Sequence, residues 1–242
     1  MVNPWAALGP DEIHVWTIDL GAPRYAGRAA LLTGEDLERA ARFVFERDRA
    51  RFVAARAALR EILAGYTGLD PLELPILRNA HGKPYFDFPG APGFNLSHSG
   101  DIGMLAVGRA AAIGIDVESR ELPRDARDLA ASVFSPEERD ALHCVADDAL
   151  DEAFFTCWTR KEALLKALGT GLTLDPAGIT VGLTPERRRV AVAESHGGFA
   201  EVRTIVSDVR CVVSIAVLGG HAKTLCFEHA ALNDRGGTDQ WA

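Results

Sequence analysis

Asp116 and Glu118, two acids separated by one residue, are the first candidates for chemistry in this sequence. Residues two apart on a β-strand share a face, so the two carboxylates would lie side by side while Ile115 and Val117 cover the opposite face. Neighbouring carboxylates repel unless a cation lies between them, and Mg²⁺ on phosphate oxygens is usually held by one or two of them. An exposed strand face with two ordinary acids has the same spacing, and this alternative stays open.

A second group of charges lies on a helical segment that contains Lys161, Glu162 and Lys166. Glu162 and Lys166 are four residues apart, which is also the spacing of a surface ion pair on a helix. Lys161 points about 100° away from Glu162, so it reaches the same ligand only at the edge of a cleft. Read as a phosphate site, the segment supplies two ammonium groups and a third carboxylate.

The segment 94–101 contains Ser97, His98 and Asp101. A hydrolytic triad is assembled from distant loops, so neighbouring positions do not indicate one. A turn of hydroxyl, imidazole and backbone N–H donors can instead bind an anion such as phosphate, although such a turn can also be satisfied by its own side chains. Lys83, in a Gly-Lys-Pro sequence, places one more ammonium at the start of a predicted strand.

The elements that must position these residues follow from periodicity. Residues 12–20 are rich in β-branched and aromatic side chains and predict a first strand. Apolar residues at helical spacing from 37 to 63 predict one long helix or two shorter ones, ended by Gly65 and Gly68. Short strands separated by Gly, Pro and Asn are predicted at 75–78, 84–88, 93–97, 102–107 and 111–118.

Two helices and a series of strands are predicted in the rest of the chain. Ser135, with Pro136 after it and Glu138 three residues on, predicts the start of a helix that runs to about Ala146. A second helix is predicted over roughly 151–168, ending at Gly169. The strand-like runs that follow are GITVGL, RRVAVAES, AEVRTIV, RCVVSIAVLGG and KTLCFEH, before a frayed tail. This order predicts an α+β fold of two halves that meet near residues 108–112.

Composition excludes several classes of protein. The chain has 242 residues, and its 26 Lys and Arg against 34 Asp and Glu give a formal net charge of −8, which argues against a nucleic-acid partner. No apolar run approaches the ~18 residues that span a bilayer, and no secretory signal begins the sequence, so we expect a cytoplasmic protein without a membrane partner. The four cysteines form no C-x-x-C pair, which argues against zinc and favours reduced thiols.

Against this acidic background, one stretch of the chain is basic. Seven arginines between residues 39 and 60 face only two acids there, a local net charge of +5. Only four residues in the chain are lysines, so each is a candidate for a role that needs a compact ammonium.

Five segments, taken in order, resemble motifs of the 4'-phosphopantetheinyl transferases, and specifically the larger, two-lobed type that activates surfactin synthetase and other peptide and polyketide synthetases. They are GKP (82–84), FNLSHSGD (94–101), GIDVE (114–118), FSPEE (134–138) and WTRKEALLKALGTGL (158–172). The resemblance covers about residues 35–185, and five motifs in order are far more specific than any one of them.

The resemblance implies an enzyme that moves 4'-phosphopantetheine from coenzyme A to a serine of a carrier protein and releases 3',5'-ADP. It implies two similar α/β lobes, 1–110 and 111–242, packed as a pseudo-dimer within one monomeric chain, with the active site at their interface. The implied partners are coenzyme A and apo-carrier proteins of fatty-acid, polyketide or nonribosomal peptide synthetases, as in secondary metabolite biosynthesis. We expect the carrier to dock on the segment 120–150, with Arg124, Arg127, Leu129 and Val133 as candidates.

The resemblance also assigns roles to individual residues. The implied Mg²⁺ ligands at the pyrophosphate are Asp116, Glu118 and Glu162. The implied cations that neutralise the phosphates are Lys161 and Lys166. The implied contacts of the adenosine 3'-phosphate and adenine are Arg51, Lys83, Ser97 and His98. The residues implied to be catalytic are Asp116, Glu162 and Lys166, with Glu162 or a metal-bound water taking the serine proton. Asp36 departs from the family, because other members carry a lysine there.

Two other functions use the same residues. A metal-dependent nucleotide pyrophosphohydrolase would consume coenzyme A without a carrier protein. A coenzyme A-binding module without catalytic activity would bind the ligand and leave it intact.

Overall fold

Paired strands and long helices account for most of the chain in the computed structural model. The structure describes residues 8–25, 27–109, 112–121, 126–171, 174–220 and 223–228. The strands are β1 (Glu12–Asp19), β2 (Leu77–Arg78), β3 (Pro84–Tyr85), β4 (Gly93–Ser99), β5 (Ile102–Gly108), β6 (Ile113–Ser119), β7 (Arg188–Ala191), β8 (Phe199–Ser207), β9 (Cys211–Leu218) and β10 (Lys223–Glu228). The α-helices are α1 (Gly34–Ala40), α2 (Glu46–Thr67), α3 (Ala126–Val133), α4 (Pro136–His143) and α5 (Leu150–Leu168). The predicted α+β class is confirmed.

The described strands form two four-stranded sheets and one short hairpin. The first sheet has the order β10-β1-β5-β4, and its strands are antiparallel except for the parallel pair β1 and β10. The second sheet has the order β6-β9-β8-β7 and is antiparallel throughout. The hairpin joins β2 to β3. Because β10 pairs with β1, the first sheet combines strands from both ends of the chain.

Three apolar cores hold these layers together. Alternate residues of β1 point to opposite faces, so Trp16 and Ile18 pack with α2 while Ile13 and Val15 pack between the two sheets. Helix α5 packs with α3, α4 and the outer face of the second sheet. The layers therefore follow in the order α2, first sheet, second sheet, α5.

The sequence predicted some of the helix boundaries and missed others. The predicted capping box at the start of α4 is confirmed, because the Ser135 side chain accepts from the Glu138 N–H and the Glu138 carboxylate accepts from the Ser135 N–H. Gly169 ends α5 in the left-handed conformation, as predicted. The apolar run 37–63 becomes two helices, and Gly65 lies inside α2, so only Gly68 ends it.

One predicted strand is wrong. Residues 178–183 are all described and contain no strand, because the N–H groups of Val181 and Gly182 donate to the Glu138 carboxylate at 2.6 and 3.0 Å instead of to a neighbouring strand. The sequence after residue 228, where we expect a frayed tail, lies outside the described residues. Within the described part of the chain, no helix is both long and apolar enough to cross a membrane.

Candidate functional site

The edge strands β4 and β6 meet where the two sheets join. Asn95, Ser97 and Ser99 alternate along β4 and share one face of it. Asn95 Oδ1 accepts from the Ile115 N–H at 2.8 Å, and Ser99 Oγ accepts from the Ser119 N–H at 3.1 Å. Asn95 and Ser99 thus hydrogen-bond to backbone N–H groups on the edge of β6 that faces β4. Between them, Ser97 lies next to the carboxylates of β6.

Asp116 lies at the centre of the junction and is 3% exposed. Its Oδ1 accepts from Ser97 Oγ at 2.9 Å and from Lys166 Nζ at 2.6 Å. Its Oδ2 is buried and has no hydrogen-bond partner among the described residues. Burial raises the pKa of the Asp116 carboxyl, and the Lys166 ammonium opposes that shift. A buried carboxylate oxygen without a donor is costly, so the site can accept one more cation or donor.

Glu118 and Glu162 complete a set of three carboxylates, two from β6 and one from α5. Burial raises the pKa of Glu162, and the negative charge of Asp116 raises it further. The pKa of Glu118 is raised by burial, then by Asp116, with a smaller contribution from Glu162. Ser99 Oγ donates to Glu118 Oε2 at 3.0 Å. The mutual repulsion indicates that the three carboxylates lie close enough to interact.

The three carboxylates are not arranged as a complete metal site in this structure. Among the described residues, no three His, Cys, Asp or Glu side chains form a group that could hold a metal ion. The cation closest to the buried carboxylate is the Lys166 ammonium, in contact with Asp116 Oδ1. A cavity of about 220 Å³ next to this pair is lined by Asn95, Glu162 and Lys166 and extends to Gly169 and Gly171.

Three positively charged side chains act on His98, an exposed residue of β4. Partial burial lowers the pKa of the His98 imidazole, and the charges of Lys166, Arg51 and Arg39 lower it further. Arg51 Nε donates to Asp101 Oδ1 at 2.7 Å, and the Arg39 guanidinium lies over the Phe52 ring. The charge of Arg51 therefore acts on His98, and so does the charge of Arg39, which the motifs did not single out.

Lys161 and Ser97 both make contacts inside the protein. Lys161 is 2% exposed, and its Nζ pairs with Glu138 Oε2 at 2.7 Å and donates to the Pro176 carbonyl at 2.8 Å. Its charge is thus used inside the second half of the protein, and it is not available to neutralise a phosphate. Ser97 is buried between Asp116 and Lys166 and hydrogen-bonds to both, and its expected contact with the adenosine 3'-phosphate stays a prediction.

Lys83 makes two contacts within the protein, and its expected contact with coenzyme A stays a prediction. Its Nζ donates to the carbonyls of Ile113 at 3.1 Å and Ala167 at 3.0 Å. Burial lowers the pKa of Lys83 to about 8. These contacts join the β2–β3 hairpin to β6 and α5.

The expected carrier-docking residues do not form an exposed apolar patch. Leu129 and Val133 are partly buried and pack against the core of the second half. Arg127 lies in α3, while Arg124 lies outside the described residues. The apolar spacing of α3 therefore reflects core packing.

Sequence reasoning missed Asn95, Ser99 and the structural role of Asp36. Asn95 and Ser99 flank Ser97 at the period of a strand, which was an available signal. Asp36 is buried, and its two carboxylate oxygens accept from Arg56 Nε at 2.8 Å and Arg60 Nε at 3.3 Å. Two of the seven arginines counted as a basic site are therefore structural.

Gly114 explains why β6 and α5 can share a site. A Cβ at this position would lie 1.9 Å from the Ala163 carbonyl oxygen and 2.4 Å from the Ala167 nitrogen. Strand and helix thus touch backbone to backbone. We expect Gly114→Ala to force them apart and to lower the free energy of unfolding by about 2–3 kcal/mol, as overpacking does.

Urea denaturation of Gly114→Ala measures this effect, and transfer activity should fall with it. Gly34→Ala is the matched control, because no atom lies within 4 Å of a Cβ there. Equal stability of the two variants would contradict the close approach.

Comparisons with known proteins agree with the motifs. The sequence model of the 4'-phosphopantetheinyl transferase superfamily matches residues 112–226, and a model of the N-terminal part of 4'-phosphopantetheinyl transferases matches residues 22–109. The 4'-phosphopantetheinyl transferase HetI of Nostoc sp. is 36% identical over 222 residues, which cover 89% of this chain and 92% of that protein.

Two further relatives come from distant organisms. A phosphopantetheinyl transferase of Thraustochytrium sp. is 33% identical over 181 residues, 67% of this chain and 63% of the relative. A 4'-phosphopantetheinyl transferase of Bacillus subtilis is 33% identical over 177 residues, 71% of this chain and 77% of the relative.

Proposed function

The chain belongs to the 4'-phosphopantetheinyl transferase superfamily. We propose that its reaction uses Mg²⁺ and that Asp116, Glu118 and Glu162 hold this ion. The protein transfers 4'-phosphopantetheine from coenzyme A to carrier proteins. The observation that carries the metal proposal is the unpartnered, buried Oδ2 of Asp116 beside two more carboxylates of raised pKa.

The residues at the junction fit a hard divalent cation. Carboxylate oxygens are the ligands that Mg²⁺ prefers, and one or two of them with phosphate oxygens are sufficient. When bound, Mg²⁺ would supply positive charge against the diphosphate. Lys166 adds a second positive charge from the protein itself, since its Nζ lies 2.6 Å from Asp116 Oδ1 and it lines the same cavity as Glu162.

In the proposed reaction, the carrier serine oxygen attacks the phosphorus that bears pantetheine. The bond from this phosphorus to the bridging oxygen breaks, and 3',5'-ADP leaves with that oxygen and the electron pair. Glu162 accepts the serine proton, and Lys166 stabilises the charge on the phosphate oxygens. A carboxylate of raised pKa is a stronger base, and the pKa of Glu162 is raised by burial and by Asp116, which supports this assignment.

We assign the adenosine 3'-phosphate to the group formed by the His98 imidazole and the guanidinium groups of Arg51 and Arg39. The charges of both arginines act on the His98 ring and lower its pKa, which supports this assignment. On a protein with a net charge of −8, such a local group is what an anionic ligand requires. Arg39 would add a positive charge in a part of the chain where other members carry a lysine near the start of the helix and this chain has Asp36.

We also propose that residues 1–110 and 111–242 are two related lobes of one monomeric enzyme. Two features support this division. Each half has one long helix packed on a four-stranded sheet, to which residues 1–110 contribute three strands and residues 111–242 four, and the two family models match on either side of the boundary. The exception is β10, which comes from the second half and completes the first sheet.

The carriers we propose are acyl, peptidyl or aryl carrier domains of fatty-acid, polyketide or nonribosomal peptide synthetases that make secondary metabolites. The test is mass spectrometry of one apo-carrier of each class, incubated with the protein, coenzyme A and Mg²⁺. We expect one added phosphopantetheine on the serine, and its loss when EDTA removes the metal.

The same assay separates the two alternatives. Coenzyme A that disappears without any carrier indicates a pyrophosphohydrolase. Coenzyme A that is bound and never consumed indicates a module without catalysis. Full transfer in EDTA-treated, metal-free buffer would contradict the Mg²⁺ site.

A further inference from the structure

The β2–β3 hairpin is attached to the end of α5 by one asparagine. Asn79 Nδ2 donates to the Gly169 carbonyl at 2.9 Å. Asn79 Oδ1 accepts from the backbone N–H groups of His81 and Lys83, both at 2.9 Å. The same amide thus shapes the hairpin loop and binds it to the helix end.

Lys83 makes the second attachment, and it reaches two elements at once. Its Nζ donates to the carbonyl of Ala167, in the last turn of α5, and to the carbonyl of Ile113, the first residue of β6. The last carbonyls of a helix lack partners within the helix, and a positive charge near them is favourable. One ammonium from the first half therefore joins the helix and the strand that carry the site carboxylates.

Gly169 shows how closely the hairpin approaches. It has a φ of 67°, and a Cβ there would lie 3.1 Å from Lys83 Cδ and 3.2 Å from Asn79 Nδ2. A side chain at residue 169 would therefore press on the lysine stem and the asparagine amide, which would have to move by a few tenths of an ångström. Lys166 directly precedes Ala167, so a shift of this turn moves the ammonium that contacts Asp116.

We propose that Lys83 is a positioning residue, whose ammonium holds the end of α5 against the start of β6 and does not bind the 3'-phosphate of coenzyme A. This inference rests on the proposed function, because it concerns the placement of Glu162 and Lys166. Burial lowers the pKa of Lys83 to about 8, which agrees with an ammonium enclosed by the protein. The two carbonyls take two of the three N–H donors of the ammonium, and Lys83 also lines the cavity that holds Glu162 and Lys166, so the test must separate positioning from a direct phosphate contact.

The test compares Lys83→Met with Lys223→Met, a matched exchange on the exposed lysine of β10. We expect Lys83→Met to lower kcat about 10- to 100-fold, because small misplacements of reacting groups have effects of that size. The loss should be equal with coenzyme A and with 3'-dephospho-coenzyme A, and the KM for coenzyme A should change less than about twofold. Lys83→Arg, which retains the charge and the donors, should restore part of kcat.

A direct phosphate contact gives the opposite result. The KM for coenzyme A then rises, kcat changes little, and the variant equals the unmodified protein on 3'-dephospho-coenzyme A. That outcome would overturn the proposal.

Amide hydrogen exchange gives a readout that needs no activity. In the ligand-free protein, Lys83→Met should accelerate exchange over residues 165–169, and Lys223→Met should not. Unchanged exchange there would overturn the inference even if transfer by the unmodified protein is normal. Failure of the unmodified protein to modify any carrier would instead contradict the proposed function.

If Lys83→Met does not fold, Gly169→Ala takes its place, since it displaces the hairpin and leaves every charge present. It should show the same fall in kcat at constant KM, and a normal kcat would overturn the proposal.

Discussion

Asp116→Asn should lower the rate of phosphopantetheine transfer by roughly 10³-fold, because a bound metal supplies several kcal/mol and each 1.4 kcal/mol is a factor of ten. Asparagine keeps the size of the side chain and an oxygen that can accept from Ser97 and Lys166. What it removes is the negative charge at the centre of the carboxylate set. The measurement is the single-turnover rate of carrier modification at saturating coenzyme A and Mg²⁺.

Two controls accompany this experiment. Asp87→Asn changes an exposed acid between β3 and β4 and should leave the rate unchanged. Circular dichroism and thermal unfolding of Asp116→Asn should show a folded protein, because Lys166 is 29% exposed and water can replace part of its lost partner. A folded Asp116→Asn variant with a normal rate would remove Asp116 from the metal site.

Asp36→Asn should be the most destabilising of the polar substitutions considered, by about 3–5 kcal/mol, since it leaves two buried cations without their counter-ion. Arg56 and Arg60 are 9% and 4% exposed, and both donate to the Asp36 carboxylate. The measurement is urea denaturation at pH 7. Glu38→Gln, on the exposed face of α1, is the control and should shift stability by less than about 0.5 kcal/mol.

The same substitution should change the acid sensitivity of the protein. Burial alone would raise the pKa of Asp36, but Arg56 and Arg60 outweigh it and hold this pKa below its usual value. A group with a lowered folded-state pKa contributes stability above its unfolded pKa of about 4, and loses it as the pH falls through the folded value. Asp36→Asn should therefore lose less stability than the unmodified protein as the pH falls below about 4. Equal acid sensitivity of the variant and the unmodified protein would mean that the ion pairs of Asp36 with Arg56 and Arg60 contribute nothing to stability.

Local patterns predicted the site carboxylates better than the site cations. The alternation around Asp116 and Glu118 fixes which face of β6 carries acids, and that face does lie toward α5. The lysines of α5 could not be separated in the same way. Lys161 and Lys166 both belong to the WTRKEALLK segment. Lys161 nevertheless pairs with Glu138, whereas Lys166 pairs with Asp116. The helix fixes the angle between the two lysine side chains, but tertiary packing decides which of them lies next to Asp116.

Long-range pairing accounts for most of what the sequence did not predict. Asp36 is 20 residues from Arg56 in sequence, and its role depends on how α1 folds back on α2. The run at 178–183 has the composition of a strand, but Glu138, more than 40 residues away, takes its backbone N–H groups. Local periodicity cannot predict these contacts, because they form between elements that are far apart in the sequence.

The parallel pairing of β10 with β1 has a practical consequence for anyone who dissects the protein. A fragment that ends at the boundary near residue 110 would leave one side of β1 open from Glu12 to Thr17, where Lys223 to Glu228 now pair with it. An open strand edge of this kind recruits other chains and promotes aggregation. The N-terminal half is therefore a poor subject for separate expression or for exchange between relatives, unless a peptide with the β10 sequence is supplied in trans.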